Sequence, residues 1–135
     1  MEKLEKKIVA EKLVGKEFES ILEVGCQWGV SLLQIRKRFP EKRIVGVDIY
    51  KPIVTAAKEM TGLDLRVGNV FDLPFTNGEF DVVYTNALLC MLEPGHVEEA
   101  LKEIIRVAKK YVILVELDSH GIEGPPTSTR TRANW

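Results

Sequence analysis

Residues 21–29 read ILEVGCQWG, and residues 44–49 read IVGVDI. Each is a short apolar run that gives way to a residue suited to a strand end. The first closes on Gly25, which lets the chain turn sharply and lets a ligand approach the backbone. The second closes on Asp48 and one more apolar residue, Ile49. Between them, residues 29–39 (GVSLLQIRKRF) return to helical spacing through Val30, Leu33, Ile35 and Phe39, and Pro40 stops that helix. Strand, helix, strand at this spacing is a βαβ unit, whose crossover is right-handed.

The same alternation continues outward. Residues 2–17 carry Leu4, Ile8, Leu13 and Val14 among charges, the pattern of an amphipathic helix. Residues 52–61 predict a helix with Pro52 in its first turn and Gly62 just past its end. Strands are expected at 63–67, 80–85 and 111–117, and the longest helix over 94–109. Segment 68–79, GNVFDLPFTNGE, is rich in turn residues and reads as loop. Strands apolar on both faces, alternating with helices, define a doubly wound α/β domain. Ligands of such folds bind outside the carboxyl ends of the strands.

Composition narrows the function. A chain of 135 residues is one domain by size, and 45% hydrophobic with 29% charged residues is ordinary for a globular protein. Nineteen basic residues nearly cancel 20 acidic ones, for a net charge of -1, which argues against nucleic-acid binding by bulk charge. Cys26 and Cys90 make no CxxC pair, so a reducing, cytoplasmic setting is expected. The opening EKLEKK has no apolar core of a signal peptide, no run approaches a membrane span, and no membrane partner is expected. His96 and His120 lack neighbours at ligand spacing, so no metal is expected.

The strand ends carry the chemistry. The phosphate-binding pattern GxGxxG is not met, because Gln27 and Val30 stand where the second and third glycines belong. Asp48 lies 23 residues after Gly25, close to the interval at which an acid reaches a ribose, and its two oxygens can accept from both ribose hydroxyls. The competing reading makes Asp48 a cap for the helix at Pro52. Ile49 is suited to face an adenine ring. After the third strand come Gly68-Asn69-Val70, then Leu73-Pro74-Phe75, then Asn77-Gly78-Glu79-Phe80-Asp81.

With ILEVGCQWG, then VGVDI, then GNVFDLPFTNGEFDVVYTNALLCML, the chain resembles the class I S-adenosylmethionine-dependent methyltransferases over about residues 18–117. The nearest pattern is the small-molecule, type 11-like branch with LPF followed by FDVV. The resemblance implies a Rossmann-like three-layer sandwich, with about five parallel strands in order 3-2-1-4-5. The family's terminal antiparallel hairpin is expected to be reduced or absent. It implies S-adenosyl-L-methionine as cofactor. Glu23, Val24 and Gly25, with Cys26 and Gly29 completing the turn, match the positions that hold its methionine end. Asp48 matches the ribose-binding acid and Ile49 the apolar residue under adenine. Asn69 stands where relatives have an Asp for the adenine amine, and Val70 where a backbone N–H meets the ring. Thr85 and Asn86 match positions beside the sulfonium and the substrate.

Three departures stand out. Gln27 replaces a frequent glycine, and Trp28 beside it either shields the cofactor or packs on the first helix. Cys90-Met91 stand where relatives often carry a histidine; Cys90 reads as a small buried apolar residue on a helix. His96 reads as an exposed residue at a helix start. Tyr50 and Tyr84 are candidate substrate-facing hydroxyls, with Tyr84 equally readable as core.

The implied reaction is methyl transfer to a small-molecule acceptor. No catalytic residue is named, because alignment carries most of such a displacement and a base is needed only when the acceptor loses a proton. Residues 85–88, Thr-Asn-Ala-Leu, lack the NPPY-like motif of nucleic-acid base methylation. The alternative is a catalytically inactive cofactor-binding module or regulatory partner subunit. Residues 1–118 form the expected cofactor-binding domain and 119–135 a polar tail. An apolar fifth strand at the sheet edge invites pairing, so the tail or a homodimer contact is expected to cover it.

Overall fold

The computed structural model describes residues 8–116. The tail 119–135 lies outside them, as do residues 2–7 of the expected N-terminal helix; residues 8–12 are helical. Five parallel strands form one sheet in the order β3-β2-β1-β4-β5: β1 Ser20–Val24, β2 Arg43–Asp48, β3 Asp64–Val67, β4 Phe80–Asn86 and β5 Ala108–Val115. Three helices connect them, α1 Val30–Arg38, α2 Lys51–Thr61 and α3 Val97–Val107. This is the expected doubly wound α/β architecture with the expected strand order.

Strand alternation sends side chains to two cores. Ile21, Val82, Tyr84 and Ile113 pack with Val9 of the N-terminal helix and Leu13 just after it, Leu32 and Ile35 of α1, and Val54 and Ala57 of α2. Leu22, Val24, Val45, Val83 and Leu114 pack on the opposite face with Ala100, Leu101, Ile104 and Val107 of α3, and with Leu73 and Phe75 of the β3–β4 loop. β4, paired between the central strand β1 and β5, is buried along its whole length. Both faces of the sheet are therefore covered, which explains why the strands read as continuous apolar runs.

Helix ends follow local chemistry. α1 carries Arg36, Lys37 and Arg38 in its last turn, where cations complement the helix dipole. α2 has Pro52 in its first turn and ends on Gly62 at φ 71°. Two expectations are corrected. The segment 94–109 is not one helix: Pro94–His96 is a 3-10 turn and α3 spans only Val97–Val107. β5 begins at Ala108, before the expected 111, because Val107 is the last core contact of α3 and Ala108 turns directly into extended backbone at ψ 134°. The exposed Lys109 and Lys110 fall in a register irregularity between Phe80 and Val82 of β4, so their charges read as helix surface although they are strand.

Among the described residues, no helix is long and apolar enough to cross a membrane, and no group of three or more His, Cys, Asp or Glu is placed to hold a metal ion.

Candidate active site

The turn after β1 is built by backbone. Gly25 lies at φ 79° and Gly29 at φ 78°, left-handed values that glycine adopts without strain. The Gly25 and Cys26 amides donate to the Val47 carbonyl at 2.8 and 3.1 Å, and the Gly29 amide donates to the Cys26 carbonyl at 2.8 Å. Between them Gln27 is held at φ 47°, a conformation that costs a non-glycine residue about 1–2 kcal/mol. Its amide donates to Asp48 Oδ2 at 2.9 Å, and the Tyr50 amide donates to Asp48 Oδ1 at 3.0 Å. Asp48 thus ties the first turn to the second. It bonds the amide of Tyr50, the residue preceding the helix, rather than an amide of α2 itself, so the cap reading is only partly met. Each carboxylate oxygen keeps acceptor capacity for a further donor.

A pocket of about 140 Å³ opens at the carboxyl ends of the strands. It is lined by Val24 at the end of β1 with Gly25 after it, by Val47 and Asp48 at the end of β2 with Ile49 after it, by Gly68 to Phe71 after β3, and by Leu88 and Leu92 after β4. Six expected residues therefore meet in one pocket: Val24, Gly25, Asp48, Ile49, Asn69 and Val70. Ile49 is 68% exposed, a large apolar residue left in water at the mouth. Asn69 Oδ1 accepts the Phe71 amide at 2.9 Å, which shapes this wall and leaves the Asn69 amide nitrogen and one lone pair. Gly68 has no room for a side chain, because an added Cβ would lie 2.7 Å from Val47 and 2.9 Å from Pro74.

The other expected residues do not line this pocket. Glu23 is buried in β1, where the Tyr84 hydroxyl donates to Oε1 at 3.1 Å; the same hydroxyl lies 3.0 Å from Ser31 Oγ. Burial, reinforced by the Glu23 charge, pushes the Tyr84 hydroxyl well above the usual tyrosine range. Of its two readings, Tyr84 takes the core one. Cys26 is buried, and burial beside Glu23 and Asp48 pushes its thiol up, away from reactivity. Gly29 is the residue before α1. Thr85 is fully buried and donates to Glu116 Oε2 at 2.8 Å. Asn86, 8% exposed, keeps a buried amide nitrogen with no hydrogen-bond partner among the described residues. Cys90 corrects an expectation: it is exposed, because Leu89–Met91 form a short 3-10 turn in place of a helix with a buried face. Tyr50 and Trp28 are 56% and 46% exposed, and His96 is exposed as expected.

Sequence reasoning missed Val47, Gly68, Phe71, Leu88, Leu92 and Glu116. Val47 and Gly68 directly precede Asp48 and Asn69, so the strand-end rule reaches them. That rule also points to Glu116, the acid just after β5. Leu88 and Leu92 carry no signal that separates a pocket wall from core.

The methyltransferase domain family matches residues 21–111, and the chain belongs to it. This family places the chain among the class I S-adenosylmethionine-dependent methyltransferases, with S-adenosylmethionine as cofactor. An uncharacterized methyltransferase of Schizosaccharomyces pombe is 30% identical over 117 residues, covering 76% of this chain and 41% of that protein. A trans-aconitate 2-methyltransferase of Deinococcus radiodurans is 28% identical over 83 residues, covering 60% and 31%. A crystal structure of a Pyrococcus horikoshii protein superposes with a TM-score of 0.75 at 22% identity, over 87% of this chain and 57% of that one. The chain thus spans less than half the length of these two curated relatives. The residues present fit the cofactor: a carboxylate with spare acceptor capacity, an amide, apolar walls, and two glycines whose missing side chains leave the pocket open.

Proposed function

We propose that this chain transfers the methyl group of S-adenosylmethionine to a small-molecule acceptor by in-line displacement. The observation that carries it is Asp48: an acid at the end of β2, wired to the first turn and lying in the pocket wall beside an exposed Ile49. In this reading Asp48 would accept from the ribose hydroxyls, Ile49 would offer an apolar surface to the adenine, and the Val70 amide would meet its ring. Asn69 accepts from its amine through the remaining lone pair. The turn at Glu23–Gly25, with Cys26 and Gly29 shaping it, receives the methionine end. Thr85 and Asn86 stand at the carboxyl end of β4, on the side of the sheet where the methyl group would be presented. S-adenosylmethionine, when bound, supplies a methyl group on a sulfonium, a leaving group already activated by its charge. The chain's own work is then to align donor and acceptor and to keep water out, with no base required of it unless the acceptor carries a proton to lose.

A small acceptor is supported by the net charge of -1, which gives no general attraction for nucleic acid, and by the Deinococcus relative, whose name specifies a small acid. We further propose a cytoplasmic enzyme that self-associates through β5, whose outer edge pairs with no strand among the described residues. The test is calorimetry with S-adenosylmethionine and S-adenosylhomocysteine, followed by methyl-transfer assays on small carboxylic acids. Binding of both nucleosides, weakened about tenfold or more in Asp48→Ala, is expected from the loss of a charge-assisted hydrogen bond. Absence of heat with either nucleoside overturns the reading.

A further inference from the structure

The end of β5 faces the end of β4, and one carboxylate joins them. Glu116 Oε2 accepts from the Thr85 hydroxyl at 2.8 Å and from the Leu88 amide at 3.2 Å, while Oε1 accepts from the Cys90 amide at 2.8 Å. Beside them the Ala87 amide donates to the Val115 carbonyl at 2.7 Å. Ala87 is held at φ 58°, a left-handed conformation that a non-glycine residue keeps only under constraint. The segment 85–90 is thus pinned in a strained turn by four bonds to the last two described residues of the chain. That turn aims Leu88 at the pocket: a Cβ added at Gly25 would meet Leu88 Cδ1 at 2.9 Å, and Leu88 and Leu92 form the pocket wall facing Asp48 and Ile49.

We propose that Glu116 is a positioning residue of the active site, acting through the 85–90 turn to hold the Leu88–Leu92 wall against the Gly25 turn. Glu116 does not line the pocket and needs no contact with cofactor. Its two oxygens satisfy three donors spread over six residues, a job that a neutral amide cannot do, because Gln presents one acceptor oxygen and turns N–H donors toward N–H donors. The inference rests on the proposed cofactor reading for its functional consequence, and on geometry alone for its structural one.

The experiment therefore has two readouts on the full chain, with Glu116→Gln and the milder Thr85→Val, which removes only the hydroxyl donor. The first is amide hydrogen exchange. Exchange at Leu88 and Cys90 accelerates about tenfold or more in Glu116→Gln while the β1 and β2 amides keep their wild-type rates, the expected loss of a charge-assisted bond. The second is the affinity for S-adenosylhomocysteine, which falls about tenfold in Glu116→Gln and by less in Thr85→Val. Glu79→Gln, which breaks the pair with Arg43 at the opposite end of the sheet, is the control for general destabilisation and leaves that affinity unchanged. Wild-type affinity in both Glu116→Gln and Thr85→Val overturns the proposal. If the wild-type chain binds neither nucleoside, the proposed function falls, and the exchange rates alone decide: local acceleration upholds Glu116 as the anchor of this turn, and unchanged rates refute it.

Discussion

Gly25 and Gln27 sit two residues apart in the same turn with positive φ, yet only one is a glycine. Gly25→Ala places a methyl in a left-handed conformation and against Leu88, so it is expected to cost about 1–2 kcal/mol of stability and to weaken nucleoside binding. Gln27→Gly removes a similar strain at the expense of unfolded-state entropy, and its backbone bond to Asp48 survives. It is expected to leave stability within about 1 kcal/mol of wild type. Urea titration of both variants checks the contrast; equal effects would mean that the turn is not strained as described. Tyr84→Phe tests the core reading. Removing the hydroxyl takes a donor from the buried Glu23, at an expected cost of about 1–3 kcal/mol in the same urea titration.

At the scale of elements, α3 controls the β3–β4 loop through one arginine. Arg106 donates to the carbonyls of Leu73 and Phe75 and to Asn77 Oδ1, and Glu103 holds its other face while accepting the Leu73 amide at 2.8 Å. The guanidinium fork serves five acceptor atoms on four residues at once, which an ammonium does not reproduce. Arg106→Lys is expected to lower the melting temperature by several degrees and to weaken nucleoside binding, because this loop carries Asn69 to Phe71. The hydrogen bond from Arg106 holds the Glu103 carboxyl below its ordinary value of 4.5. Its contribution to stability is therefore complete above that value and is lost as pH falls through the depressed folded value. Denaturation midpoints measured from pH 7 to pH 3 should show a shallower acid decline in Glu103→Gln than in wild type.

For the whole molecule, assembly turns on the far edge of β5, which pairs with no strand among the described residues. Ile113, Leu114 and Val115 are buried by their side chains, so the edge offers backbone groups rather than an apolar face, and Lys109 and Lys110 at its start discourage pairing there. Self-association through β5 must then use the stretch beyond Lys110. Light scattering is expected to give twice 15.3 kDa at high concentration, and Val112→Pro, which places a residue without an N–H in that stretch, should shift the equilibrium to monomer. A concentration-independent mass of one chain contradicts the dimer. The Val112→Pro result needs a thermal melt beside it, since β5 also pairs with β4.

The order of elements, the two-sided burial of the sheet, Gly25, Asp48 and the segment from Asn69 were all readable along the chain. Each follows from local rules: hydrophobic period, turn chemistry, and the tendency of strands to end in functional residues. Strand ends are close in sequence to the turns that define them, which is why six pocket residues are legible in the sequence. Chain-order reading fails where distant segments meet. Leu88 and Leu92 look like core until β1 is laid beside β4, and Cys90 is exposed only because its turn is too short to bury a face. Glu116 bonds partners 26 to 31 residues away, and no periodicity encodes that. Local propensity decided where the chain turns. Packing of parallel strands side by side decided which turns share a pocket, because neighbours in a parallel sheet are separated in sequence by a whole crossover.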